Sequence, residues 1–265
     1  MVMHTVLAAT AALLACAFAM LTLERYLARR RRHELMWTIA LAMFALGSIG
    51  LWLGAAIGWS EWTFKVFYLF GAILNVPFLA LGTVYLLASR RVGDESAAVV
   101  SLLAAFATGI VVATPLVGVI DPSVIPQGSD VFGLGPRIAA GVGSGVAALV
   151  IIAGAVWSAV QLLVGRRRSH WAGTTTVPAG RLAAANLLIA AGTLVLSAGG
   201  LLNSVVDEMN AFAISLAVGI AVIFAGFLLT MTGAQASLGV RGSLGPATSE
   251  PALDDYATPA TDLVH

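Results

Sequence analysis

The chain has 265 residues, of which 59% are hydrophobic and only 10% are charged, and its formal net charge is +1. An ordinary soluble domain carries about 25% charged residues, so the composition predicts an all-α, polytopic membrane protein and argues against a soluble catalytic domain. The single cysteine excludes a disulfide framework within the chain and a cysteine-based zinc site. We expect no cofactor, no metal site and no nucleic-acid partner.

Seven apolar runs follow one another along the chain, and each is long enough to cross a hydrocarbon core of ~30 Å as a helix. They cover approximately residues 5–23, 35–57, 64–87, 97–120, 138–165, 182–204 and 211–231. We therefore predict a seven-helix transmembrane bundle over residues 1–234. Residues 235–265 are rich in Gly, Ser, Pro and Asp, which predicts a disordered cytoplasmic tail.

The basic residues are unequally distributed between the two sides of this bundle. Twelve of the fourteen Lys and Arg residues lie in the connections after runs one, three and five or in the tail, and the other side has only Lys65 and Arg137. The positive-inside rule predicts a multi-pass protein of the cell inner membrane, with the N-terminus outside and the C-terminus in the cytoplasm. Anionic lipid headgroups are expected near two arginine clusters. These clusters are Arg29, Arg30, Arg31, Arg32 and Arg166, Arg167, Arg168.

The third run, residues 64–87, is predicted to be the central helix of the bundle. At 100° per residue, one face carries two aromatic rings, two glycines and an amide, a composition typical of helix–helix packing rather than of contact with lipid. This face consists of Tyr68, Gly71, Asn75, Phe78 and Gly82. Pro77 lacks the N–H that would bond to the Ile73 carbonyl, so we expect a kink there. Lys65 is expected to form a surface ion pair with Glu61.

No ionisable side chain is predicted at membrane depth, since all thirteen carboxylates map to loops, termini or the tail. Charge-coupled pumps normally need such a group, and hydrolytic intramembrane enzymes need paired acids, a Ser/His pair or metal ligands. A retinal pigment needs a lysine in its seventh helix, and run 211–231 has none. We therefore predict no enzymatic activity and no charge-coupled transport.

Neutral polar side chains are what remains inside the predicted bundle. In the sixth run, Asn186, Thr193 and Ser197 share one helical stripe. Two interpretations stay open: hydrogen bonds between helices, worth about 0.6 kcal/mol each, or the lining of a cavity. The candidate ligand or solute face consists of Tyr68, Asn75, Pro77, Asn186, Thr193 and Ser197.

Two parts of the chain resemble each other in layout. Arginine-rich turns follow runs one and five, and the next runs contain Ala-Leu-Gly-Ser (residues 45–48) and Ala-Ala-Gly-Thr (residues 190–193). Both triplets of helices would enter the membrane from the same side, which allows a 3+1+3 parallel repeat. Chance similarity of basic turns and small-residue helices is the alternative.

A resemblance in layout to a known protein family depends on two stretches of the chain. They are the arginine-rich turn over residues 29–37 and the aromatic third run over residues 64–87. The chain resembles the seven-helix sensor region at the N-terminus of some bacterial histidine kinases. This resemblance implies a receptor-like bundle that senses a ligand. Since no kinase, cyclase or phosphatase domain follows, a signal would pass through a protein partner. The first hypothesis is thus a sensory or regulatory membrane module of unknown ligand.

The 3+1+3 layout also resembles that of the PQ-loop sugar facilitators. The only Pro-Gln pair, Pro126-Gln127, is predicted to lie in the outer loop and not in a helix. The alternative hypothesis is accordingly a facilitator, an uncoupled transporter of a small neutral solute.

Overall fold

The computed structural model describes residues 2–122, 124–163, 181, 184–185, 187–196 and 214–229. These residues form helices and no strand, so the all-α prediction is confirmed. In chain order, the helices are α1 (Val2–Arg29), α2 (Arg32–Ile57), α3 (Glu61–Val66), a π-helix (Phe67–Leu74), α4 (Asn75–Leu87), α5 (Arg90–Ala113), α6 (Gly128–Val131), α7 (Leu134–Leu163), α8 (Leu187–Leu196) and α9 (Ile214–Leu229).

Five continuous helical stretches are long and apolar enough to cross a membrane: Thr5–Arg29, Arg32–Ile57, Glu61–Leu87, Arg90–Ala113 and Leu134–Gln161. The described parts of α8 and α9 are apolar but shorter. Several membrane-length helices are therefore confirmed. The full sixth and seventh runs extend outside the described residues, as do Arg166, Arg167, Arg168 and the tail 235–265. The count of seven and the 3+1+3 repeat stay predictions.

The fourth membrane-length helix begins and ends about seven residues earlier than the apolar run 97–120 predicts. Ser89 caps α5, because its side chain accepts a hydrogen bond of 3.4 Å from the Val92 N–H. At the other end, Thr114 is extended (φ −74°, ψ 122°) because Pro115 follows it. Local capping chemistry, and not the hydropathy of the run, sets both ends of this helix.

The central elements of the described bundle are α2 and the continuous helix Glu61–Leu87. α2 contacts α1, the π-helix and α4. α4 also contacts α5 and α7. The closest approach joins Gly47 of α2 to Gly71 of the π-helix, where a Cβ on Gly47 would lie 2.7 Å from the Gly71 Cα. Gly82 of α4 lies under the Trp37 indole, which leaves no space for a Cβ. The glycines of the predicted packing face are therefore in helix–helix contact.

The two ends of the bundle differ in charge. At one end, called the basic end, an ion pair between Arg32 and Asp94 joins the α1–α2 and α4–α5 connections. At the opposite end, called the loop end, the Trp59 N–H donates to the Pro122 carbonyl at 3.0 Å and ties the α2–α3 connection to the loop before α6. α7 starts at the loop end, because Arg137 lies in its first turns near Tyr68. The cavity described below opens toward this loop end.

Candidate functional site

A cavity of about 720 Å³ lies between α2, the π-helix, α4 and α7, with the described parts of α8 and α9 on its remaining side. Protein interiors are normally close-packed, with few voids larger than a water molecule. A volume of this order falls within the range of about 300–1,000 Å³ that is typical of small-molecule sites. The cavity is therefore a candidate binding site.

One face of α7 forms the longest wall of the cavity, at the i, i+3, i+4 spacing of a helix. Its residues are mostly small: Arg137, Ala140, Gly141, Ser144, Gly145, Ala148, Leu149 and Ile152. A Cβ added at Gly141 or at Gly145 would meet no atom within 4 Å. These glycines leave space instead of allowing contact, which explains why the cavity is large on this side.

Three of the six candidate residues named from the sequence lie on this cavity: Tyr68, Asn75 and Thr193. Tyr68 belongs to the π-helix and Asn75 directly follows it. π-Helical segments that interrupt α-helices are frequent at functional sites. Thr193, on α8, is buried and donates a hydrogen bond of 2.8 Å to the Ile189 carbonyl. Its hydroxyl proton is thus already used within its own helix.

Pro77 does not line the cavity; it is the third residue of α4, half-buried, in the turn that follows the π-helix. Proline is tolerated in the first turn of a helix, where its missing N–H removes little. A kink is predicted at Pro77, and the helix changes from π-helix to α-helix two residues before this proline, at Asn75. Asn186 and Ser197 lie outside the residues whose side chains the structure describes, and their role stays a prediction.

The Asn75 side chain is only 8% exposed and is positioned by its own backbone. Its Oδ1 accepts a hydrogen bond of 2.7 Å from the Val76 N–H, which leaves the amide Nδ2 as the free end. Among the described residues this Nδ2 has no hydrogen-bond partner, and it is not sealed from the cavity. Asn75 therefore presents a hydrogen-bond donor to whatever occupies the cavity.

Two hydroxyl groups, those of Ser48 and Tyr68, also line the cavity without a hydrogen-bond partner among the described residues. Ser48 is 3% exposed, lines the cavity from α2, and makes no hydrogen bond with any described residue. The Tyr68 hydroxyl likewise has no partner within the described part of the chain, and its ring packs beneath Gly128. None of these polar atoms is sealed within the protein, so each can pair with a bound molecule or with water in the cavity.

A positive charge stands at the mouth of the cavity. Arg137 is exposed in the first turns of α7 and is the only charged residue among the described residues that line the cavity. It is close enough to Tyr68 to interact with it electrostatically. No ion pair joins Arg137 to a carboxylate of the described residues. Ser129 and Gln127 complete the rim on the α6 side.

Lys65, by contrast, lies outside the cavity and is not the surface residue that the sequence predicts. The expected pair with Glu61 forms, with 2.8 Å between Nζ and Oε1, but Lys65 is only 6% exposed. Its ammonium also donates to the Val112 carbonyl at 3.2 Å. Carbonyls in the last turn of a helix lack intrahelical partners and carry partial negative charge. Lys65 therefore caps the C-terminus of α5.

A buried carboxylate at the basic end also departs from the prediction that every acid lies in a loop or terminus. Glu34 is 1% exposed in the first turn of α2, 3.3 Å from the Arg25 Nε. Its Oε2 is buried without a partner among the described residues. Arg30 has a left-handed backbone (φ 52°), which turns α2 back along α1 and places Glu34 opposite Arg25. The apolar run begins one residue later, so hydropathy alone missed this pair.

A second cavity, of about 80 Å³, lies closer to the basic end. Its lining includes Thr22, Trp37 and Ser158, and it shares three side chains with the large cavity: Leu41, Leu79 and Ile223. One apolar layer thus separates the two spaces.

Within the described residues, no three His, Cys, Asp or Glu side chains cluster as metal ligands would. Comparison of the whole chain with protein-family models, with curated proteins and with solved structures finds no match. Function is therefore inferred from the cavity and its lining residues.

Proposed function

We propose that this protein is an integral membrane sensory or regulatory module that binds a small ligand in the large cavity and acts through a protein partner. The observation that carries the proposal is that the cavity is lined by polar groups with no hydrogen-bond partner among the described residues, above all the Asn75 Nδ2. These groups are accessible from the cavity and can therefore pair with a ligand there. The layout resemblance to histidine kinase sensor regions points in the same direction.

The basic end faces the cytoplasm in this proposal, and the bundle has seven spans with the N-terminus outside the cell inner membrane. The charge asymmetry between the two ends supports this orientation. The arginines Arg29–Arg32 and Arg166–Arg168 would then lie near anionic lipid headgroups. The cavity mouth would open outward, and the cytoplasmic tail 235–265 and the basic end would meet the partner. We expect no enzymatic activity.

Topology reporters test the orientation directly. A reporter that is active only in the cytoplasm should give signal when it is fused after Gly233, and no signal when it is inserted within residues 121–127. The reverse pattern would place the cavity mouth on the cytoplasmic side and would contradict this part of the proposal.

Occupancy of the cavity should alter contacts at the basic end if the protein is a sensor. Gly141→Leu projects a side chain into the cavity without a backbone clash, because the glycine faces open space. Gly143→Leu is the matched control, since Gly143 also has open space around it but does not line the cavity. A photo-crosslinking residue at the exposed Arg91 position would report the partner in cells.

We expect a partner adduct whose yield changes in Gly141→Leu and stays at the wild-type level in Gly143→Leu. An adduct with the same yield in all three proteins would show that the cavity does not control the partner, and the sensory proposal would then fail.

A facilitator of a small neutral solute is the second candidate, and the smaller cavity is the observation that favours it. Among the described residues, Leu41, Leu79 and Ile223 line both spaces, and a shift of this layer would connect the loop end to the basic end. Hydrophobic constrictions of this kind gate pores by excluding water. Solute flux into proteoliposomes without an ion gradient, increased by Leu79→Ala and blocked by Gly141→Leu, would support this second function. Absence of flux in the wild-type protein and in Leu79→Ala would exclude it.

A further inference from the structure

The chemistry around the large cavity restricts the ligand further than its volume does. We propose that the cavity binds a single-chain amphiphile with a carboxylate head, whose head pairs with Arg137 and whose apolar chain lies along α7. This inference depends on the proposed ligand-binding role of the cavity and names the class of ligand.

The charge at the mouth is the first argument. Arg137 is the only charged residue among the described residues of the lining, and no described carboxylate neutralises it. A guanidinium offers several N–H donors in a planar arrangement that matches a carboxylate. An anionic head therefore has a partner at this position, and a cationic head would be repelled.

The free polar groups near the mouth provide the second argument. The Asn75 Oδ1 already accepts a hydrogen bond from the Val76 N–H, so only the Nδ2 donor is available to a ligand. The Tyr68 hydroxyl has no described partner and lines the same cavity as Arg137. These groups, together with Arg137, present donors to the cavity. A ligand rich in acceptor oxygens matches them, and a head with only donors does not.

The apolar, elongated shape of the cavity is the third argument. A rise of 1.5 Å per residue places Ile152 about 22 Å from Arg137 along the axis of α7. Beyond Ser144 the α7 wall is Gly145, Ala148, Leu149 and Ile152, and Leu79, Leu194 and Ile220 face it from other helices. A cavity of about 720 Å³ accommodates one drug-sized molecule. A single acyl chain matches this shape, and a two-chain phospholipid exceeds it.

Decanoate and decanol are a matched pair of probes, because both have ten carbons and only decanoate is charged. Binding would be measured by isothermal titration into full-length protein in zwitterionic nanodiscs. Both probes also dissolve in the lipid, so the signal of Gly141→Leu nanodiscs is subtracted. In this variant a leucine side chain obstructs the path along the α7 wall, while the lipid is the same. Gly143→Leu should retain the wild-type signal.

We expect wild-type protein to bind decanoate about tenfold or more tightly than decanol, as a hydrogen-bonded charge pair implies. Arg137→Gln should weaken decanoate binding to the level of decanol and leave decanol binding unchanged. Arg137→Lys should recover part of the difference. Arg91→Gln, at an exposed arginine of the basic end, is the control for a general loss of positive charge. Thermal unfolding verifies that each variant is folded.

Equal affinity for the two probes in the wild-type protein would overturn the inference, as would an Arg137→Gln variant that binds decanoate normally. If decanol still shows saturable binding that Gly141→Leu removes, the cavity remains a ligand site and only the ligand class is wrong. If Gly141→Leu changes no binding at all, the proposed function fails as well. A phospholipid that stays bound to wild-type protein in native mass spectrometry, and is lost from Gly141→Leu, would replace the single-chain ligand.

Discussion

Glycines on two walls of the same cavity have opposite surroundings. Gly47 of α2 meets Gly71 of the π-helix so closely that a Cβ would lie 2.7 Å from backbone atoms. On α7, a Cβ at Gly141 or Gly145 would meet nothing within 4 Å. The first pair brings two helices into contact, and the second pair leaves a space between helices.

The free energy of unfolding distinguishes these two roles. Glycine inside a helix is destabilising by about 0.5–1 kcal/mol relative to alanine. Between α2 and the π-helix, close packing offsets this cost. At Gly141 and Gly145 of α7 no neighbouring atom offsets it. The missing side chains at these two positions enlarge the cavity that they line.

The largest expected effect is at the contact. Gly47→Ala should lower the free energy of unfolding by about 2–3 kcal/mol, because the added methyl group meets backbone atoms that cannot move aside as a side chain would. Equilibrium unfolding in mixed micelles would measure the change. Gly109→Ala, on α5 with open space around it, is the matched control and should not destabilise the protein. Equal stability of the two variants would contradict the contact.

Gly82→Ala should have a smaller effect, about 1–2 kcal/mol. The added methyl group overlaps the Trp37 indole, and a side chain can rotate away where a backbone cannot. A double-mutant cycle with Trp37→Phe checks the cause, because the smaller ring should reduce the cost of Gly82→Ala. Strictly additive effects of the two changes would show that the indole is not the obstacle.

Asn75→Leu should change stability by less than about 1 kcal/mol. The Val76 N–H loses its side-chain acceptor, but it is a backbone group in a helix, and the leucine side chain is close in volume to the amide that it replaces. Ligand binding should fall, because the donor that faces the cavity is lost. Thr108→Val is the control, since the Thr108 hydroxyl donates to the Ala104 carbonyl and does not line the cavity. Unfolding and titration on the same preparations separate the two effects. Unchanged binding in Asn75→Leu would remove Asn75 from the site.

The smallest expected effect has the opposite sign. Gly141→Ala should stabilise the protein by about 0.5–1 kcal/mol, because alanine favours the helix and the added methyl group meets only open space. One methyl group would leave most of the cavity empty, so binding should persist. Destabilisation by this change would mean that α7 is packed at Gly141, and the contrast between the two walls would be lost.

Winding the third run as a helix placed Tyr68, Gly71 and Asn75 together, and all three line the cavity, whereas Pro77 does not. Their role in binding stays a prediction. Hydropathy placed the start of α5 near residue 97, because the first turns of this helix carry charged residues. The helix starts earlier because the Ser89 side chain caps it. Hydropathy also missed the buried pair of Glu34 with Arg25, which exists only because the turn at Arg30 brings two helices together.

The sequence by itself determined that the first five apolar runs form membrane-length helices, which end of the bundle is basic, and which helix faces are small or polar. These properties follow from the local periodicity and composition of each segment. Only the tertiary structure decided that Gly47 is in contact while Gly141 faces open space, and that Arg137 stands at the mouth of a cavity. The physical reason is that the space beside a helix depends on where the neighbouring helices pass, and that position is set by packing between segments distant in the chain.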